Sequence, residues 1–235
     1  MTKDSPSLTV TILMYNEEEN VGDTLRETRE FLMGAVEDWE ILVVDDGSTD
    51  NGAQVVLDHN RRDGRIRLLQ HETNQGMGAG IATGIEAATK EYFTFNAADG
   101  QIPAAELGKM IQCLPDGDIV LTTYEGGRES FRRGALSRSF RLFLRAMTGI
   151  RFRLEGIYLF PTEAAREIRP SIAAATFFFS FELIQRGVER GLTTTMTQIQ
   201  CNSRRSGSSK VANPLKISKV ALDALRFGLK KRLGS

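Results

Sequence analysis

Short apolar runs alternate with segments of helical periodicity through the first half of the chain. Four strands are predicted, at residues 8–13, 39–44, 66–69 and 92–95. Helices are predicted between them; in the first, over residues 20–33, Val21, Leu25, Thr28 and Leu32 recur at helical spacing. Repeated strand–helix units form a mostly parallel sheet covered by helices, with ligands at the carboxyl ends of the strands.

The second half of the chain is less regular. Its predicted elements are a helix at 103–113, strands at 118–121 and 157–160, a helix at 177–190, a strand at 192–199 and a helix at 215–232. Pro161 is predicted to close the strand at 157–160. The fold class is therefore α/β, with one domain over residues 1–200 and a basic loop with an amphipathic helix over residues 201–235.

Composition narrows the class of protein. Of 235 residues, 41% are apolar and 26% charged, which suits a folded domain with a sizeable core. No apolar run approaches the roughly 18 residues that a membrane-spanning helix needs. The polar N-terminus and the two cysteines, Cys113 and Cys201, do not fit a secreted disulfide framework. We expect a cytoplasmic protein.

Charge is distributed unevenly along the chain although its net value is zero. Residues 201–235 contain nine Lys and Arg against Asp223 alone, and residues 128–153 contain eight arginines against Glu129 alone. Such basic zones favour phosphate groups or anionic lipid, although a solvated basic face is the plainer alternative. Nucleic-acid binding is not expected, because no aromatic platform or known binding motif accompanies the charge.

Polar motifs follow each of the first four predicted strands. They are Tyr15-Asn16-Glu17, Asp45-Asp46-Gly47-Ser48, Asn74-Gln75-Gly76-Met77-Gly78 and Asn96-Ala97-Ala98-Asp99-Gly100-Gln101. The aspartate pair can accept hydrogen bonds from a base or a ribose; alternatively it forms an Asx turn, with Ser48 or Asp50 capping the next helix. Glycines 76, 78 and 80 fit a phosphate-binding turn or close packing of a helix on the sheet.

Asp99 and Gln101 form the sharpest chemical signal. A carboxylate and an amide oxygen two residues apart, just past a buried strand, can face one hard cation such as Mg²⁺ or Mn²⁺ that also binds substrate phosphates. A simple turn at the strand end is the alternative.

Together, these motifs resemble those of family 2 glycosyltransferases of the GT-A fold, a Rossmann-like sheet that binds nucleotide-sugars. Phe181-Glu182-Leu183 and Arg205-x-Gly207-x-Ser209-Lys210 are similar to the C-terminal signature of dolichyl- and polyprenyl-phosphate sugar synthases. The resemblance covers about residues 8–213. It implies inverting transfer of one sugar from a UDP- or GDP-sugar, assisted by Mg²⁺ or Mn²⁺.

The resemblance also implies roles for particular residues. Tyr15 and Glu17 would line the nucleoside, and Asp46 beside Asp45 would reach the base or ribose. Gly76 and Gly78 would form the adjoining loop, and Asp99 and Gln101 would hold the metal. The residues that would neutralise phosphate are Arg205, Ser209 and Lys210. Glu182 is the candidate base for a hydroxyl acceptor, with a surface or capping charge as the alternative. A lipid monophosphate, with a second pKa near about 6, needs cations more than a base.

Three positions depart from the family pattern. Ala97 occupies the first position of the family's Asp-x-Asp motif, so one metal contact is missing. Leu13 replaces a proline, and a processive Gln-x-x-Arg-Trp motif is absent because Trp39 is the only tryptophan. A polymerising enzyme is therefore not expected. A soluble hydroxyl acceptor, or a nucleotide-sugar-binding module that lost catalysis through Ala97, are the alternatives to transfer onto a lipid phosphate.

Two predicted helices bear on membrane contact. Residues 135–147 and 215–232 both combine an apolar stripe with basic residues, so either can lie on an anionic bilayer as a peripheral helix. Ordinary core packing with solvated basic side chains is the alternative for both.

Overall fold

The computed structural model describes residues 6–125, 145–146, 148–174, 176–203 and 214–233. Its strands are β1 Leu8–Met14, β2 Trp39–Asp45, β3 Ile66–Gln70, β4 Tyr92–Ala97, β5 Ile119–Tyr124, β6 Tyr158–Pro161 and β7 Thr194–Ile199. Its helices are α1 Glu18–Ala35, α2 Gly52–Arg62, α3 Met77–Ala87, α4 Glu106–Gln112, α5 Thr162–Ile168, α6 Phe178–Glu189 and α7 Pro214–Leu233. Short 3₁₀ turns lie at Leu114–Asp116 and Arg169–Ser171.

All seven strands form one sheet in the order β3-β2-β1-β4-β6-β5-β7. Strands β1 to β4 are parallel, β6 is antiparallel to both of its neighbours, and β5 is parallel to β7. The predicted mostly parallel α/β sheet is therefore confirmed. Six strands have their carboxyl ends at the same edge of the sheet, and β6 begins there.

The core lies on both faces of the central strands. Every residue of β2 is buried, as expected for a parallel strand covered by helices on each side. Helix α1 buries Val21, Leu25, Thr28 and Leu32, the stripe that the sequence pattern predicts. The periodicity of the apolar residues thus sets which face of α1 packs on the sheet.

Helix α3 lies unusually close to the sheet because two of its glycines face the strands. A Cβ atom at Gly80 would lie 3.0 Å from Leu13 Cδ2, and one at Gly84 would lie 2.5 Å from Thr11 Oγ1. Close packing on the sheet, one of the two predicted reasons for the glycine run, therefore explains Gly80. It also brings the start of α3 to the carboxyl edge of β1 and β2.

Several predicted boundaries are wrong by a few residues. Helix α4 begins at Glu106 rather than at Pro103, and β7 begins at Thr194 rather than at Leu192, because Gly191 turns the chain with φ 92°. Pro161 is the last residue of β6, paired with Tyr92, rather than a residue outside the strand. The predicted helix at 135–147 lies almost entirely outside the described residues.

Among the described residues, no helix combines the length and the apolar character needed to cross a bilayer.

Candidate active site

The predicted motifs meet at the carboxyl edge of the sheet. Met14 of β1 pairs with Asp45 of β2, and Leu13 pairs with Ala97 of β4, so the ends of these strands lie side by side. Two strand spacings of about 4.8 Å each separate β2 from β4. The loops that carry Asp46 and Asp99 therefore leave the sheet on either side of the loop that follows β1.

Asn16 joins the loops that follow β1 and β2. Its φ of 53° places it in the left-handed region, which Asn tolerates better than most residues. Its backbone N–H donates to Ser48 Oγ over 2.9 Å, and its Oδ1 accepts the N–H of Thr49 over 2.8 Å. The Tyr-Asn-Glu and Asp-Asp-Gly-Ser motifs are therefore held together by paired bonds.

A second pair of bonds joins the same loops. The N–H of Glu18 donates to Asp50 Oδ2 over 2.9 Å, and the N–H of Asn51 donates to Glu18 Oε2 over 2.8 Å. Asp50 Oδ1 also accepts the N–H of Gly52, the first residue of α2, over 3.1 Å. However, Asn51 is the N-cap residue and α2 has no side-chain cap bond, so the predicted cap by Asp50 is wrong. The other alternative, capping by Ser48, is wrong because the Ser48 hydroxyl bonds to Asn16.

Tyr15 and Glu17 lie on either side of Asn16. Glu17 is buried, and its Oε2 accepts the side-chain N–H of Asn20 over 2.7 Å. Tyr15 is partly exposed at the edge of the sheet. The placement of both side chains at this edge is compatible with the nucleoside contact that the family resemblance implies.

Asp45 is buried, and both of its carboxylate oxygens have protein donors. Oδ1 accepts the N–H of Ser48 over 3.0 Å, and Oδ2 accepts the side-chain amide of Gln70 over 3.1 Å. The first bond closes the loop three residues on, rather than two residues on as in the Asx turn that the sequence offers as an alternative. The second bond links β2 to the end of β3.

Asp46 holds the glycine loop that precedes α3. Its Oδ1 accepts the N–H of Gln75 over 2.8 Å and contacts His71 Nδ1 over 2.8 Å. Its Oδ2 accepts the N–H of Gly76 over 2.8 Å. Gly76 has φ 93°, a conformation that favours glycine, and its N–H points to Asp46. The next glycine of the loop, Gly78, is buried in α3.

The turn after β4 presents Asp99. Asn96 braces this turn, since its side-chain N–H donates to the Ile102 carbonyl over 2.9 Å. Asp99 is buried, and its Oδ1 accepts the N–H of Gln101 over 3.1 Å. Burial raises the pKa of Tyr124, at the end of β5, and the neighbouring Cys201 and Asp99 raise it further. Asp99, in the turn after β4, and Cys201, after β7, are therefore neighbours of Tyr124.

Gln101 connects this turn to the segment after β7. The N–H of Asn202 donates to the Gln101 carbonyl over 2.7 Å, and Gln101 Nε2 donates to the Asn202 carbonyl over 3.2 Å. The predicted phosphate-binding residues Arg205, Ser209 and Lys210 follow Asn202 closely in the sequence but lie outside the described residues. The described chain that precedes them contacts the Asp99 turn through Asn202.

Asp99 and Gln101 offer a small set of hard oxygen ligands. In the part of the chain that the structure describes, no group of three or more His, Cys, Asp and Glu side chains is placed to hold a metal ion. Because Nε2 of Gln101 is the donor to Asn202, its Oε1 is the amide's acceptor atom. One carboxylate and one amide oxygen fit an ion that takes its other ligands from water and substrate phosphates.

Glu182 lies in a different environment from the predicted motifs. It is buried on α6, and its Oε1 accepts Arg186 Nε over 2.9 Å and a terminal Arg186 nitrogen over 2.7 Å. Burial raises the pKa of Glu182, and Arg186 partly offsets that rise. Arg186 also lies over the Phe227 ring of α7 at 5.5 Å. Glu182 therefore belongs to the contact between α6 and α7.

Sequence reasoning missed Asn16, whose bonds join two loops, and His71, which contacts Asp46. Asn16 stands inside a motif that was singled out, and His71 is the first residue after β3. The rule that ligand sites form at the carboxyl ends of parallel strands points to both positions.

Comparison with known proteins gives a consistent family. The Glycosyl transferase family 2 profile matches residues 9–183. A dolichyl-phosphate beta-glucosyltransferase of Trichomonas vaginalis is 27% identical over 245 residues, covering 96% of this chain and 72% of that protein. An undecaprenyl-phosphate 4-deoxy-4-formamido-L-arabinose transferase of Salmonella choleraesuis is 28% identical over 144 residues, covering 60% of this chain and 44% of that protein.

The fold also matches solved structures. Glucosyl-3-phosphoglycerate synthase from Mycobacterium tuberculosis, in complex with Mn²⁺, UDP and phosphoglyceric acid, superposes with a TM-score of 0.70 at 18% identity. The superposition covers 97% of this chain and 79% of that one. At this identity the likeness concerns the fold.

Proposed function

Since this chain belongs to glycosyl transferase family 2, we propose that it transfers a single sugar, with inversion, from a UDP- or GDP-sugar to a polyprenyl or dolichyl phosphate. The observation that carries the proposal is the meeting of the Asp46 loop and the Asp99–Gln101 turn at one edge of the sheet, where Asn202 is also bonded to that turn.

The donor's nucleoside lies between the loops after β1, β2 and β3. Tyr15 and Glu17 line it, and the Asp46 carboxylate accepts a hydrogen bond from the base or ribose. Asp45 shapes the turn through Ser48 and Gln70. Gly76 keeps the backbone of the third loop close to Asp46, whose carboxylate accepts the N–H groups of Gln75 and Gly76. Gly78 lies in the first turn of α3, next to this loop.

Asp99 and Gln101 bind Mg²⁺ or Mn²⁺ together with the donor's diphosphate. The ion supplies positive charge where the leaving nucleoside diphosphate gains negative charge. Asp99 is fixed for this task by the N–H of Gln101, and Gln101 is fixed by Asn202. Ala97 leaves the site with one carboxylate fewer than the family's Asp-x-Asp motif supplies.

A lipid phosphate is the acceptor that the relatives' names favour, since one is a dolichyl-phosphate and the other an undecaprenyl-phosphate sugar transferase. Arg205 and Lys210 neutralise its phosphate, and Ser209 donates a hydrogen bond to it. This phosphate is largely ionised at pH 7 and needs no strong base. The pairing of Glu182 with Arg186 is consistent with a phosphate acceptor. Transfer to an ionised phosphate needs no base, so Glu182 can serve instead to hold α6 and α7 together.

A soluble hydroxyl acceptor is the second candidate. The neighbour of similar fold was solved with phosphoglyceric acid bound beside UDP and Mn²⁺. Glu182 is then the candidate base. A third reading, a donor-binding module without catalysis, follows from Ala97.

Membrane contact through α7 completes the proposal. Leu222, Leu225 and Leu229 are 47%, 38% and 57% exposed on one face of this helix, whereas Ala224 and Phe227 are buried. Exposed Lys219, Arg226 and Lys230 flank the leucines. Apolar side chains with basic neighbours suit the interface of an anionic bilayer, here the cytoplasmic membrane face.

The donor is identified by thermal unfolding with UDP- and GDP-sugars, with and without Mn²⁺. With Mn²⁺ present, the true donor stabilises the protein by about 2.7 kcal/mol when its concentration is a hundred times its Kd. Without Mn²⁺ the stabilisation is smaller. If no UDP- or GDP-sugar raises the Tm with Mn²⁺ present, the proposed function is wrong.

A further inference from the structure

His71 bridges the Asp46 loop and helix α3. It follows β3 directly, and its backbone N–H donates to the Asp45 carbonyl over 2.9 Å. Its ring Nδ1 lies 2.8 Å from Asp46 Oδ1, and its Nε2 lies 2.9 Å from Thr83 Oγ1 of α3. The His71 side chain is only 9% exposed. Both ring nitrogens therefore have a partner inside the protein.

The partners determine where the ring carries its proton. An ionised carboxylate only accepts hydrogen bonds, so Nδ1 of His71 donates to Asp46. Nε2 is then the acceptor for the Thr83 hydroxyl when the ring is neutral. The imidazole is thus fixed from both sides, and it fixes the Asp46 carboxylate in turn.

The carboxylate of Asp46 is almost fully occupied. Oδ1 interacts with His71 and with the N–H of Gln75, and Oδ2 accepts the N–H of Gly76. A carboxylate has about four acceptor directions, so with these partners from the described part of the chain one direction remains, on Oδ2. Rotation of the side chain would break all three contacts, which makes that remaining direction a fixed one.

We propose that His71 is a positioning residue for the donor nucleoside: it holds Asp46 so that the last acceptor direction of Oδ2 faces the base or ribose. The inference rests on the proposed function. His71 itself touches no substrate in this account, and Thr83 sets the orientation of its ring.

Three substitutions separate the two sides of the ring. His71→Asn places an amide nitrogen near the position of Nδ1, and so keeps the bond to Asp46. His71→Gln places its amide near Nε2, and so keeps only the Thr83 side. His71→Leu removes both bonds. The matched pair of amides differs only in which partner it can reach.

The readouts are the KM of the donor, the KM of the acceptor and kcat, with the UDP- or GDP-sugar that stabilises the wild type. We expect the donor KM to rise about tenfold or more in His71→Leu and His71→Gln, because the loss of a hydrogen bond to a charged group weakens binding by about that factor. In His71→Asn it rises by less than about threefold. The acceptor KM and kcat change by less than about twofold in all three variants. A general loss of structure would change these two quantities as well as the donor KM.

Several results overturn the inference. One is a donor KM in His71→Leu equal to that of the active wild type; another is a donor KM in His71→Asn as high as in His71→Gln. If His71→Leu does not fold, the two amide variants decide the question. If the wild type binds neither UDP nor GDP with Mn²⁺, the proposed function fails and this inference fails with it. If the wild type binds the donor, the variants test the role of His71 alone.

Discussion

The backbone N–H of Asn202 donates to the carbonyl oxygen of Gln101 over 2.7 Å, and the side-chain amide of Gln101 donates to the Asn202 carbonyl over 3.2 Å. The turn that presents Asp99 and the segment that leads to Arg205 are thus held as one unit. In the proposed function, this contact joins Asp99 and Gln101, which would hold the metal, to the chain segment that leads to Arg205, which would bind the acceptor phosphate.

Asp99→Asn removes the carboxylate of the proposed metal pair while keeping its shape. We expect kcat/KM to fall at least about tenfold and the Mn²⁺ concentration for half-maximal activity to rise, because a neutral amide binds a hard cation more weakly. The measurement is a Mn²⁺ titration of transfer. Asp116→Asn, at an exposed carboxylate outside the site, is the control. An unchanged titration curve would remove Asp99 from the metal site.

Ala97→Asp restores the carboxylate that the family places two residues before Asp99. The added charge lowers the Mn²⁺ concentration for half-maximal activity about threefold or more, since further carboxylates tighten binding of such cations. Ala97→Asn is the matched neutral control and leaves the titration near that of the wild type. If both variants shift the curve equally, side-chain size rather than charge is responsible.

Much of the site was predictable because each of the first four strands is an apolar run that ends in a polar motif. Parallel strands bring such ends to one edge, so the positions of Asp46 and Asp99 follow from local pattern plus one topological rule. The bond partners do not follow in this way. Asn16 contacts Thr49 and His71 contacts Asp46, pairs that are 33 and 25 positions apart and meet only in the folded chain.

The second half shows where local pattern fails. The sequence identifies Glu182 as a charge on a helix, and its partner Arg186 is the i+4 neighbour on the same helix, a pairing that local pattern can supply. The Phe227 ring over which Arg186 lies depends on how α7 packs on α6. The apolar residues of α7 likewise divide between two environments: Phe227 is buried and Leu229 exposed, which helical periodicity alone does not decide.

The exposed leucines of α7 predict binding to anionic vesicles. Replacing Leu222, Leu225 and Leu229 together with Ser should lower binding to phosphatidylglycerol vesicles about tenfold or more, because burial of a leucine contributes about 1.5 kcal/mol or more. Sedimentation with vesicles measures it. Leu57→Ser, at a leucine of α2 that is 38% exposed, is the control. Equal binding of the triple variant and the wild type would contradict the proposed contact.

Asp63 predicts a specific dependence of stability on pH. Hydrogen bonds from Arg65, and then from Arg29, hold the pKa of this carboxyl well below its usual range, and Arg65 also lies 3.8 Å from the centre of the Trp39 ring. A carboxyl whose pKa is lowered by folding stabilises the protein above the unfolded pKa and loses that effect as the pH falls. Asp63→Asn should therefore cost about 1 kcal/mol at pH 7.

Urea unfolding between pH 7 and pH 3 measures the effect of Asp63→Asn. The difference from the wild type should shrink as the pH falls below about 4, where the unfolded carboxyl becomes protonated. Asp58→Asn, which breaks the exposed pair with Arg61, is the matched control and should change stability by less than about 0.5 kcal/mol. A difference for Asp63→Asn that stays constant with pH would contradict the role of its charge.

Transfer of a labelled sugar to a lipid phosphate is the decisive test of the proposed function. The protein is incubated with Mn²⁺, polyprenyl phosphate in phosphatidylglycerol vesicles and, in turn, each labelled UDP- or GDP-sugar. The account predicts that one donor yields a lipid carrying a single sugar, with release of the nucleoside diphosphate, and that Asp99→Asn loses most of this product. Donor binding without any labelled lipid, or label found only on a water-soluble hydroxyl acceptor supplied in parallel, would contradict it.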